Sequence, residues 1–177
     1  MLTKDQIEKL FFKLNAKLKS AGVKGEVGIV GGAVMCLVFK ARQATKDIDG
    51  IFAPTKKIRE LVKAIAVEEG VPEDWLNDGA KGYIQGNFNR IEVLSLSHLR
   101  VWAPQPEYML AMKCMSARFD SKDADDVRFL IRHLKLKSLN KVFDLVAKYY
   151  PRTQVPTKTQ FFVEEIFSAV AKNRKKT

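Results

Sequence analysis

Val30-Gly31-Gly32 and, fourteen residues further on, Asp47-Ile48-Asp49 are the runs on which the reading of this 177-residue chain turns. The first closes an apolar stretch, Glu26-Val-Gly-Ile-Val30, whose composition predicts a short buried strand. A diglycine at that point marks a strand-to-helix turn. Without Cβ atoms its backbone N–H groups can approach a phosphate closely, and the start of the following helix adds a favourable dipole. The second run lies in a strand predicted over 46–52 and closed by Pro54. Side chains on a strand alternate between faces, so Asp47 and Asp49 share one face while Ile48 takes the other. Two carboxylates one pleat repeat apart offer hard oxygens suited to Mg²⁺; with bridging phosphates such a pair can hold two ions about 4 Å apart. Acidic pairs on exposed strand ends also occur without any metal, and it is the preceding diglycine that gives this pair its meaning.

The segments outward from this centre alternate in type. Ile7, Leu10, Phe11, Leu14 and Leu18 recur at helical spacing over 3–21, and Thr3 with Gln6 fits a capping box. Ala33 to Arg42 reads as a short helix. Ile58, Leu61, Val62 and Ile65 make 56–69 a second amphipathic helix, with Gly70 as its stop. A looser stretch containing Trp75-Leu-Asn-Asp78 leads to two short strands, 90–96 and 99–103. From Pro106 onward the pattern is helical over 106–118, 122–134, 138–150 and 157–172, punctuated by Pro151 and Pro156. The expectation is an α/β (α+β) chain, with a small mixed sheet flanked by helices over 1–104 and a helical part over 105–177 packed on that core.

Composition bounds the function. With 46% hydrophobic and 29% charged residues the chain has the material for a core, which excludes a wholly disordered protein. Cys36 and Cys114 form no CxxC pair, so a zinc site is not expected, and two isolated thiols suit a reducing compartment. The longest nearly uncharged apolar run, Val27 to Phe39, is too short for a membrane span, and the acidic N-terminus does not read as a signal peptide. A cytoplasmic protein is expected, with no membrane partner. Lys plus Arg exceeds Asp plus Glu by 31 to 20; the net of +11 divides into +4 over 1–100 and +7 over 101–177. Such a surface draws polyanions, and the chain ends in Lys172-Asn-Arg174-Lys-Lys176.

Gly31-Gly32 followed by Asp47-Ile-Asp49 resembles the hG(G/S)…Dh(D/E)h signature of the nucleotidyltransferase superfamily of the DNA polymerase β type, with a slightly longer gap. Glu107-Tyr-Met-Leu-Ala-Met-Lys113, then Arg118, then Lys122-Asp123-Ala-Asp-Asp126-Val-Arg128-Phe-Leu130 is similar to the LLAxK…R…(K/R)DxxDhxxL blocks of AbiEii-type proteins, toxin-like nucleotidyltransferases of abortive-infection and toxin–antitoxin systems. Trp75-Leu-Asn-Asp78 is similar to an element of a compact branch of that group. The resemblance, over about residues 25–132, implies roles by position. Asp47 and Asp49 would bind metal, and Gly31 and Gly32 would cradle the β and γ phosphates of an NTP. Lys113 would neutralise the triphosphate or the leaving pyrophosphate, and Asp126 would be the acid of the second block. Many active members carry a third carboxylate on a later strand. Here the one strand candidate is Glu92, whose register the sequence does not set.

The implied activity is Mg²⁺-dependent transfer of an NMP from an NTP to an acceptor hydroxyl. The positive charge favours a nucleic-acid acceptor such as tRNA, and the resemblance implies a toxin-like role, with an antitoxin protein as a partner. Two alternatives stand beside it: a small-molecule transferase of the aminoglycoside or lincosamide type, and an inactive fold that binds nucleotide, RNA or a protein partner. Several residues also have plain structural readings. Lys113 in an apolar helix suits a snorkelling core-edge lysine, Asp123 a helix cap, and Arg128 with Arg132 a solvated face.

Overall fold

The computed structural model describes residues 1–116 and 122–174, with side chains to residue 170. Arg118, Lys175 and Lys176, named above, lie outside the described residues. The chain divides into two compact units, one of residues 1–82 and 89–104, the other of 83–88 and 105–177.

The first unit is built on a five-stranded mixed sheet. Its central strand β2 (Gly25–Val30) pairs antiparallel with β4 (Ile48–Ala53) and parallel with β7 (Leu99–Pro104). A two-residue strand β5 (Leu76–Asn77) lies beyond β4, and β6 (Arg90–Ser95) lies beyond β7, giving the order β5-β4-β2-β7-β6. A second, minimal ladder joins β1 (Leu2–Thr3) to β3 (Ala44–Thr45). These last two strands and β5 are too short to leave a periodic signal in the sequence.

Helix α1 (Lys4–Ser20) begins at the expected capping box: Gln6 N–H donates to Thr3 Oγ1, and Thr3 N–H donates to Gln6 Oε1 at 2.9 Å. Its stripe of Ile7, Leu10, Phe11, Leu14 and Leu18 is fully buried. Helix α3 (Thr55–Glu69) buries Ile58, Leu61, Val62 and Ile65 and ends at Gly70 in the left-handed conformation, φ +63°. Both helices cover the sheet face that carries Val27 and Ile29. At Gly25, on that face, an added Cβ would meet Leu18 from α1 and Ile58 from α3. Trp75 is anchored in the same core, its Nε1–H donating to Val62 O at 3.1 Å.

The opposite face carries the polar residues. Strand alternation and register put Asp49, Ile51, Glu26, Gly28, Trp102, Arg100, Arg90 and Glu92 on it. Trp102 lies flat across Gly28, so that a Cβ there would be 2.2 Å from the indole. Trp102 Nε1–H donates to Glu26 Oε1 at 2.6 Å, and the Arg90 guanidinium sits 4.1 Å above the ring while also bonding Glu26 at 3.2 Å. A cation over an indole contributes about 0.5–1 kcal/mol where solvent reaches it.

Helix α2 differs from its expected extent. It spans Gly31–Leu37 rather than 33–42, so the diglycine forms its first turn, and the chain leaves the helix before Lys40, which has φ +53°.

The second unit packs α4 (Pro106–Ser116), α5 (Asp123–His133), α6 (Leu139–Tyr149) and α7 (Thr157–Arg174) around a core that includes Tyr108, Leu110, Leu130, Val146 and Tyr150. Segment 83–88 belongs to it because Tyr108 holds it: the phenol donates to Gln85 O at 3.0 Å, accepts from Gln85 N–H at 2.7 Å, and stacks on Phe88. The Tyr150 hydroxyl adds a bond to Tyr83 O. Burial in this core pushes the Cys114 thiol up to about 12 and raises the Tyr150 phenol above its ordinary value, so neither ionises near neutrality. Among the described residues, no helix is long and apolar enough to cross a membrane.

The contact between Gly28 and Trp102 is testable. Gly28→Ala forces the indole off its seat and is expected to cost about 1–3 kcal/mol, the usual range for overpacking. Gly82→Ala, where a Cβ meets open space, serves as the control. Urea melts should lower the midpoint for the first variant only; equal midpoints would show that Trp102 is not confined by the glycine.

Candidate functional site

The candidate site stands at the C-terminal end of β2. There Val30 pairs with Asp49, and Asp49 pairs on its other side with Asn77. Asp49 is half-buried between two buried neighbours, Ile48 and Gly50. Its carboxylate lies in a slot with a glycine on each side. A Cβ on Gly31 would stand 3.2 Å from Asp49 Oδ2, and one on Gly79 would stand 3.8 Å from Asp49 Oδ1. Gly31 is doubly constrained, because its φ of +65° is itself a conformation that L side chains rarely adopt.

Asp47 enters differently from its expected place. Strand β4 opens at Ile48, one residue later than Asp47, which sits in the bend leading into it. Asp47 is half-buried, and Ile48 after it is buried.

The second glycine is confined by other neighbours. A Cβ on Gly32 would stand 2.4 Å from the Thr45 hydroxyl and 3.4 Å from Arg42 Nη1. The diglycine thus has a carboxylate against its first residue and a guanidinium against its second. Arg42, Thr45, Asn77 and Gly79 carry no individual signal in the sequence. Only Asn77 falls in a quoted motif, where its function is visible in the structure: its Oδ1 accepts from Gly79 N–H at 2.8 Å and shapes the turn that flanks Asp49. Arg59 fixes the next residue of that motif, donating to Asp78 at 2.6 Å.

Glu92 does not join this group. Strand β6 is at the far edge of the sheet, three strand spacings from β4, which is about 14 Å. Glu92 shares the face of Asp49, but it is exposed and pairs with Arg100 at 3.7 Å. The expectation that it supplies a third metal-binding carboxylate is therefore corrected by strand order. Among the described residues, no cluster of three or more His, Cys, Asp or Glu side chains is placed to hold a metal ion.

Lys113 and Asp126 are brought together in the helical unit. Lys113 Nζ on α4 reaches Asp126 Oδ2 at 2.9 Å and Asp123 Oδ1 at 2.7 Å, both on α5. Asp126 is 2% exposed and Lys113 7%. The N-cap position of α5 is Lys122, and Asp123 spends a carboxylate oxygen on Lys113. The arrangement gives both residues an account within the helices: they clamp α4 to α5.

Removing one member of a buried pair strands the other charge, at a cost of about 3–5 kcal/mol. Lys113→Met is expected to lower the melting temperature by roughly 6 °C or more, at about 2–4 °C per kcal/mol for a chain of this size. Lys113→Arg should recover most of that loss. A thermal melt of Lys113→Met that matches the wild type would return Lys113 to a purely ligand-facing role.

The whole-chain comparison agrees with the local geometry. No curated protein and no solved structure matches the chain. One family model does, over residues 6–165, which takes in the diglycine, both aspartates and the Lys113 and Asp126 blocks. By that match the chain belongs to the family described as nucleotidyltransferase of unknown function (DUF6036).

Proposed function

We propose that the chain is a Mg²⁺-dependent nucleotidyltransferase that moves an NMP from an NTP to an acceptor hydroxyl on nucleic acid, tRNA being the favoured class. The observation that carries this is the Asp49 carboxylate lodged between Gly31 and Gly79, at the end of the strand that the diglycine terminates. A pair of half-buried aspartates next to a backbone turn without Cβ atoms suits a metal-bound triphosphate.

On this reading one Mg²⁺ would be held by Asp47 and Asp49, with phosphate oxygens and water completing the shell. The residues present do not fit a shell of three carboxylates. When bound, the ion would supply Lewis-acid stabilisation of charge on the phosphate oxygens and ease ionisation of the acceptor hydroxyl. The chain's own contribution is to hold and orient. Backbone N–H groups at Gly31 and Gly32 are the donors for β and γ oxygens, with the Arg42 guanidinium beside them as a cation. In the reaction the acceptor oxygen bonds to the α-phosphorus, the α–β bridging oxygen leaves with pyrophosphate, and the hydroxyl proton passes to solvent. Alignment and fixed charge account for most of the catalysis in such transfers. Within the helices Lys113 and Asp126 form the α4–α5 clamp; the resemblance alone would give Lys113 to the triphosphate or pyrophosphate and make Asp126 the second-block acid. The AbiEii-type blocks support a toxin-like role with an antitoxin partner; a small-molecule acceptor is disfavoured by the basic surface.

A reading without turnover has one observation in its favour, the distance of Glu92 from the aspartates. Both readings are separated by incubating the chain with each α-labelled NTP, Mg²⁺ and total tRNA. Label is expected on RNA, lost with EDTA, and reduced roughly 100-fold or more in Asp49→Asn and Asp47→Asn, the order of effect for a displaced metal ligand or charge stabiliser. Melting temperatures of the variants should stay within a few degrees. Undiminished transfer by Asp49→Asn overturns the site. NTP binding without transfer of any label selects the binding module.

A further inference from the structure

Between Asp126 and Asp144 the chain carries no acid, while Arg128, Arg132, Lys135, Lys137 and Lys141 supply five cations. The structure gathers them on the end of α5, the turn that follows and the start of α6. Arg128 is neutralised by Asp125 at 2.7 Å. Arg132, Lys135, Lys137 and Lys141 are exposed, and none of the four has an ion-pair partner among the described residues. On α1 and α3 most lysines are paired, Lys9, Lys13, Lys17 and Lys57 with glutamates, while Lys19 and Lys56, unpaired among the described residues, stand singly on their helices.

An aromatic surface lies within the same ridge. The imidazole of His133 stacks on Phe129 with centroids 5.6 Å apart and planes 17° apart, and His133 is exposed. Lysines and an arginine without ion-pair partners, beside an exposed imidazole stacked on a half-buried phenyl ring, match a phosphodiester backbone with unpaired bases. An acidic protein would engage the cations but would leave the ring pair without purpose, and duplex DNA keeps its bases stacked inside.

We infer that the α5–α6 corner is the RNA-docking surface of this protein: Arg132, Lys135, Lys137 and Lys141 contact phosphates, and the His133–Phe129 pair receives an unstacked base. The inference rests on the proposed nucleic-acid acceptor and locates where that acceptor is gripped.

The test is binding of fluorescent total tRNA by anisotropy, with no nucleotide present, at several KCl concentrations. The full chain is compared with Lys135→Glu/Lys137→Glu/Lys141→Glu and with a charge-matched control, Lys19→Glu/Lys24→Glu/Lys56→Glu, on the other unit. Each lost phosphate contact removes about 0.7–0.9 from the slope of log affinity against log salt. The ridge variant should therefore bind at least about 10-fold more weakly at moderate salt, with a slope smaller by about 2–3. The control should stay within about 2-fold. His133→Ala should weaken tRNA binding without changing the salt slope, because it removes stacking and no ion contact. Circular dichroism melts check that the variants are folded.

Equal losses in the two triple variants would mean that only net charge matters, and would overturn the assignment. Absence of tRNA binding by the wild type would do the same, as would polyglutamate displacing tRNA at equal charge concentration. Repeating the titration with Asp49→Asn keeps the two conclusions apart: binding retained there while label transfer fails sinks the chemistry and leaves the ridge standing.

Discussion

The register of β2 against β4 is the constraint on which the rest depends. Val30 faces Asp49 and Ile29 faces Gly50, and a shift by one residue would exchange the two faces of β4. Asp49 would then point at the layer made by α1 and α3, and Ile48 would leave it. Burying a carboxylate there without a partner costs several kcal/mol, which alone selects against the slip. Two glycines enforce the same register sterically. Gly50 crosses Gly28 so closely that a Cβ would lie 2.7 Å from Gly28 O, and Gly28 in turn lies beneath Trp102. The Asp49 carboxylate is thus placed by the packing of Ile48, Gly50, Gly28 and Trp102.

Two acidic arrangements in this chain illustrate how surroundings decide a carboxylate's use. Asp123 and Asp126 share one buried lysine, Lys113. Asp47 and Asp49 are half-buried, with glycines rather than bulky side chains beside Asp49. Deep burial in the first case demands an internal counter-ion, whereas the second pair keeps contact with solvent. Sequence alone does not separate these cases, since both read as aspartates near the start or end of an element.

Much of the fold is legible before any coordinates because its signals are local. Thr3 with Gln6, the buried stripes of α1 and α3, and the left-handed Gly70 each depend on residues within one or two turns. The diglycine and the DxD run are legible as types for the same reason. What remained hidden is what tertiary pairing supplies. Arg42 and Gly79 reach the site only when β4 is flanked by β2 and β5, and β5 is two residues long. Strand order is likewise invisible: the segment bearing Glu92 reads correctly as a strand, yet its place at the sheet edge removes it from the aspartates. The start of α2 at Gly31 was missed because glycine reads as a turn, although here it is the first helical residue with φ +65°.

Charge accounting ties the site to the basic surface. Asp47, Asp49 and Arg42 together contribute a formal charge of −1. One Mg²⁺ with a fully ionised triphosphate of charge −4 would bring the proposed complex to −3. Lys113 already spends its charge on Asp123 and Asp126 within the helices. Beyond Arg42, the attraction of the proposed complex for a polyanion would come from the summed field of a chain at +11. Fields of that kind act over a Debye length of about 8 Å at physiological salt and weaken as salt rises. On the proposed function, a site so arranged would hold nucleotide loosely and lean on the chain's basic surface, so that the charge would serve the proposed nucleic-acid acceptor more than the NTP.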